Sequence, residues 1–211
     1  MVPPIPNKYL VNVISLGDRE FYFRTLALKL QNAGDTFGRF TPLKNYDYKK
    51  LYEWFKFMDI LNSTSRVIPS LASYYYSQTQ NHSDAIYVIK YLDEHAAIDI
   101  DKNWWWLYQA IHIARLSLND NKLSLELAYK LSKNEAKDAP IWTKQMPAFL
   151  LAKMGENCEA FFIISQMLKD NESGKRIIKA EEMNFMRYFI KDRLSKFKNI
   201  KFDPRKCQKK L

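Results

Sequence analysis

Glycine and cysteine are scarce in this chain of 211 residues, at five and two, and there are only eight prolines and three histidines. So few glycines and prolines exclude collagen-like and low-complexity chains. They also weigh against a turn-rich β-sandwich, which needs many Gly, Pro and Asn turns. Cys158 and Cys207 cannot build a disulfide framework or a four-ligand zinc site. No stretch approaches the roughly 20 consecutive apolar residues that a membrane-spanning helix needs. Met1-Val-Pro-Pro-Ile-Pro6 lacks the charged start and long apolar core of a signal peptide. A proline-rich start also follows N-terminal anchors, so an upstream anchor is compatible with it. What the chain does have is 47% hydrophobic residues, enough for a globular core and against wholesale disorder.

The net charge of +10 is unevenly placed. From Lys175 to Leu211, thirteen Lys/Arg against four Asp/Glu leave +9, so the preceding 174 residues carry about +1. Such a basic end, with Lys196, Lys198, Lys201, Arg205 and Lys206, fits either a solvated terminus or contact with RNA, an acidic protein or an anionic surface.

Apolar residues recur at three- and four-residue spacing nearly throughout, which predicts consecutive helices and an all-α fold. Tyr9–Leu16 reads as a short helix stopped by Gly17. Asp18 caps a second helix with Phe23, Leu26, Ala27 and Leu30 on one stripe, stopped by Gly34. A long loop, Gly34–Tyr46, follows. Asp47 opens a helix that should bury Leu51, Trp54, Phe55, Met58 and Leu61.

From Pro69 a pattern repeats. Helices Pro69–Gln78 and Asp84–Ala97 form one pair, Asn103–Leu118 and Lys122–Lys133 a second, Pro140–Met154 and Cys158–Lys169 a third. The openings Pro69, Asn103 and Pro140 are 34 and 37 residues apart, and the small residues Ala85, Ser124 and Ala160 are 39 and 36 apart. A period in the mid-thirties is the length of a two-helix repeat. A last helix, about Ile177 to Phe197, would cap the stack. The expected organisation is an N-terminal helical segment (1–66), three helix pairs (67–170), and a capping helix with a basic tail (171–211).

Trp104 and Leu107, then Ser124, Ala128 and Leu131, follow the packing pattern of a tetratricopeptide repeat. Trp142, Gly155 and Ala160 continue it, as do Ala85, Ile89 and Leu92. On these residues the chain resembles TPR-like helical-repeat proteins, including bacterial ones of which some are membrane-anchored. The longer step from Trp104 to Ser124, and Tyr108 in place of an early packing glycine, depart from the family pattern. The resemblance implies a right-handed superhelix of antiparallel helix pairs, an α-solenoid, whose first helices line a concave groove. It also implies a bacterial protein, in the cytoplasm or at the envelope.

Stacked pairs bury a shared core and leave a concave binding side. In Asn103–Leu118, two apolar stripes leave Trp105, Gln109 and His112 on the wetter one. Three consecutive tryptophans span about 200° of a helix, so one points away from the others. Trp105 is therefore the candidate peptide anchor, unless it covers a neighbouring repeat. Tyr74 and Ser77 hold the matching places in the preceding first helix, Thr143 and Lys144 in the following one. Pro147 should kink its helix.

No catalytic constellation is legible, and no cofactor or metal is implied. His82, His95 and His112 have no partner at a metal-ligand spacing. Cys158 reads as a packing or surface cysteine, and Cys207, beside Arg205, Lys206 and Lys209, as the more reactive thiol. Gly34-Asp-Thr-Phe-Gly38 lacks the Gly-Lys-Ser/Thr ending of a phosphate loop. Asp35, Arg39 and Asp47 in or beside that loop are candidate partner contacts. Two functions follow as expectations: a scaffold binding a protein or peptide in its groove, and a nucleic-acid or anionic-surface binder acting through the basic tail.

Overall fold

Three aspartates start three of the helices. Asp18 accepts the Phe21 amide at 2.8 Å and opens α2 (Arg19–Gln31); Asp47 accepts that of Lys50 at 3.0 Å and opens α3 (Tyr48–Asn62). Asp99 accepts the Lys102 amide at 3.3 Å and opens α6 (Ile100–Leu116). Each carboxylate satisfies an amide that the first helical turn leaves unpaired. The computed structural model describes residues 2, 4–7, 11–36, 38–175, 177–193 and 207, with the backbone alone at Asn12, Thr36, Arg39 and Arg193. The fold is all-α, and two compact units divide at Asp120.

Unit 1, residues 1–120, begins with a short helix α1 (Val11–Ile14) and α2. The loop after α2 folds into a minimal hairpin, β1 (Asp35–Thr36) against β2 (Arg39–Phe40), with Asp35 opposite Phe40. Gly34 turns the chain into this hairpin with a φ of +83°. A Cβ there would collide with the Tyr46 hydroxyl, which donates to the Ala33 carbonyl. Only glycine meets both demands.

The expected helix Pro69–Gln78 forms as α4 (Val67–Ser70), a π-helical turn at Leu71–Tyr75 and a 3-10 turn at Tyr76–Gln78. This irregular winding leaves Tyr74 and Tyr75 exposed while Tyr76 is buried. α5 (Ala85–Ile98) buries Ala85, Val88, Ile89, Leu92 and Ala96, the expected stripe, and also Tyr91 and His95. α2 packs on α3, α3 on α5 and α5 on α6.

Unit 2, residues 121–211, holds α7 (Asn121–Leu131), α8 (Trp142–Met154), α9 (Asn157–Glu172) and α10 (Ala180–Tyr188), which runs into a π-helical turn at Phe189–Arg193. Gly155, at φ +92°, closes α8 in a Schellman turn. Its amide bonds to the Ala152 carbonyl and that of Glu156 to Leu151. Ala148, Leu151, Ala160, Ile164, Met167, Ile178, Met186 and Phe189 share one core.

The division at 120/121 differs from the expected boundaries at 66 and 170. It falls between the two helices of the expected second pair, because the contacts that make each unit compact are gathered on either side of that turn.

Candidate functional site

The features that converge at the surface of unit 1 are aromatic. On α6, Trp104, Trp105, Tyr108 and His112 are all half-buried, at i, i+1, i+4 and i+8. Their rings touch in sequence: 5.7 Å from Trp104 to Trp105, 5.3 Å to Tyr108 and 4.5 Å from Tyr108 to His112, with the first and last pairs edge-on. At 1.5 Å rise per residue the strip runs about 12 Å along the helix.

Tyr74, from the π-helical turn, completes it. The Trp105 indole N–H donates to the Tyr74 hydroxyl at 2.8 Å, and the Tyr74 ring lies 6.3 Å from buried Trp106. The Arg66 guanidinium stands over the Trp106 ring, 5.6 Å from its centre. Of the tryptophan triplet, then, Trp106 is the one sealed inside, while Trp104 and Trp105 share the partly wetted strip. Trp105 is thus tied to the preceding helical segment while remaining half-buried. Gln109, half-buried, lies one turn beyond it.

The other expected partner residues are placed differently. Ser77 is buried and donates to the Ser73 carbonyl at 2.6 Å, because the 3-10 turn rotates it inward. Thr143 is wholly buried, donating to the Pro140 carbonyl at 2.8 Å and accepting from the Asn134 amide at 3.1 Å. Neither is a surface group. Lys144 is half-buried and pairs with Glu135 at 3.1 Å.

Of the loop residues, Asp35 is exposed in β1 and Arg39 contributes its backbone to β2. Asp47 spends its carboxylate on capping α3, and the Lys50 amide holds it below the usual carboxylate range. Lys196, Lys198, Lys201, Arg205 and Lys206 lie outside the described residues. So does the end of the expected last helix beyond residue 193. Cys158 and Cys207 are joined in a disulfide, so Cys207 is not the reactive thiol expected from its basic neighbours and Cys158 is not a lone packing or surface cysteine. The bond spans 49 positions that the fold alone brings together.

Two polar groupings on α5 have no signal in the sequence. His95, 1% exposed, donates from Nδ1 to Asp59 at 2.8 Å, and Tyr91 donates to the other oxygen of the same carboxylate at 3.0 Å. Asp59 lies on α3, 36 residues before His95, while the carboxylates beside His95 in sequence point elsewhere. Burial and the nearby Asp59 charge push the Tyr91 hydroxyl far up. With its imidazole sealed, this triad is a tie between α3 and α5.

Beside it, Tyr52 donates to Glu94 at 2.7 Å and Lys56 pairs with Glu94 at 3.0 Å. Burial opposes ionisation of Glu94, but these two bonds outweigh it and hold the carboxyl below its ordinary value. Among the described residues no cluster of three or more His, Cys, Asp or Glu is placed to hold a metal ion, and no helix is long and apolar enough to cross a membrane. No protein-family model, curated protein or solved structure matches the chain.

Proposed function

We propose that the chain is a non-catalytic scaffold of the TPR-like, superhelical kind, and that it docks a protein or peptide segment along the aromatic strip of α6. The observation that carries this reading is the fixed indole of Trp105. A half-buried tryptophan whose N–H is already bonded to Tyr74 offers rigid apolar area with little ordering left to lose on binding. Trp104, Tyr108 and His112 extend that area, and Gln109 supplies a polar group beside it. Tryptophan is enriched among binding hot spots, whose truncation costs about 2 kcal/mol or more.

The test uses peptides selected from a random displayed library, titrated by tryptophan fluorescence. Trp105→Ala should weaken them by about 30-fold. Tyr74→Phe, which removes only the hydroxyl, should weaken them severalfold. Unchanged affinity in Trp105→Ala contradicts the reading.

The net +9 of Lys175–Leu211 favours a second reading, binding of nucleic acid or an anionic surface by that segment. Its mark would be binding to single-stranded RNA that collapses between low and moderate salt and ignores Trp105→Ala.

A further inference from the structure

Cys158 and Cys207 are the chain's two cysteines, and they are bonded to each other with Cα atoms 5.3 Å apart, a separation ordinary for a disulfide. Both are half-buried. Cys158 stands in the first turn of α9, the helix whose Ala160, Ile164 and Met167 enter the core of unit 2. Ile178, Met186 and Phe189, from the chain between the two cysteines, fill the same core. The crosslink therefore closes a loop of 49 residues whose middle is already anchored by packing.

We propose that Cys158–Cys207 is a native crosslink, installed in an oxidising compartment by a disulfide-bearing oxidoreductase, and that it fastens the basic segment to α9. The chemistry balances as an exchange. The thiolate of one cysteine attacks the disulfide of the oxidant and expels one of its thiolates, giving a mixed disulfide. The second cysteine, as thiolate, attacks the sulfur of the first and expels the other thiolate of the oxidant. Two thiols of this chain lose two electrons and two protons, and the oxidant takes them up as a dithiol. Reducing cytosols keep such pairs open, whereas secretory and envelope compartments keep them closed. This places the chain, and whatever it docks, outside the reducing cytosol. It rests on the cysteines and not on the aromatic strip.

The full chain is harvested from its source organism with thiols trapped by N-ethylmaleimide during lysis, and its intact mass is read. The expected result is a monomer with no alkylated cysteine, taking two labels only after reduction. Two labels before reduction would overturn the proposal. In a second arm, limited proteolysis of the purified oxidised chain should cut between residues 157 and 207 at least tenfold faster once reductant is added. An unchanged rate would show that the bond does not fasten the segment.

Discussion

The two units are held by different forces. Unit 1 has an aromatic interior laced with directional bonds: Phe55 lies 5.6 Å from Tyr76 and 4.9 Å from Tyr91, and each buried phenol donates across elements. Tyr48 reaches the Tyr76 carbonyl at 2.8 Å, Tyr76 the Leu30 carbonyl at 2.5 Å and Tyr91 the Asp59 carboxylate at 3.0 Å. These ties join α2, α3, α5 and the segment after α4. The described core of unit 2 is mostly aliphatic and methionine and holds no buried phenol, its directional ties being few, such as Asn134 to Thr143 and the Ile178 amide to Asn171, beside one covalent bond. A core of phenols depends on their staying protonated. A core closed by a disulfide depends on its staying oxidised. The same insult should therefore not break both.

The largest effect should come from alkali, on unit 1. Burial pushes Tyr48 up to about 12 and raises Tyr76 and Tyr91 further. A raised pKa in the folded state gives stability that is whole below the ordinary value of 10 and is lost as pH climbs through the folded value. By pH 12, Tyr48 alone should have given up about 2 kcal/mol. Circular dichroism against pH, followed with the tyrosinate absorbance, should show unfolding and phenol ionisation together above pH 10. Ionisation of every tyrosine with the fold intact would contradict the assignment.

Next is the crosslink. A closed loop of 49 residues is worth about 4 kcal/mol of chain entropy, so Cys207→Ser should lower the unfolding free energy of unit 2 by about that amount, read in urea as an earlier midpoint, and leave the Trp105 environment of unit 1 in place. Asp59→Ala should be smaller and confined to unit 1. It strands the Tyr91 hydroxyl and the His95 Nδ1 together, at about 3 kcal/mol, measured by thermal melting.

Much of this was legible in the residues. The aspartate caps at 18 and 47, the stripes of α2 and α5, and the Gly155 stop rest on local rules of capping and periodicity, and each lies where the spacing puts it. On α6 the period sets Trp105, Gln109 and His112 apart from two apolar stripes, yet Trp104 and Tyr108, which it assigns to those stripes, are half-buried in the same strip. What stayed hidden is long-range. Asp59 with His95 and Cys158 with Cys207 are 36 and 49 residues apart, and no local pattern brings them together. Ser77 was misplaced for another reason: a π-helical turn before it breaks the 3.6-residue register on which its expected exposure depended. The unit boundary within the expected second pair was equally invisible, since it reflects which contacts close and not which residues recur.

Hydrogen exchange of the full chain, with and without a saturating library-selected peptide, asks most directly where a partner sits. Slower exchange within residues 67–116, strongest in α6, with α8 and α9 unchanged, is the outcome required by docking on the Trp105 strip. Protection confined to unit 2 or to the basic segment after Lys175 would contradict it.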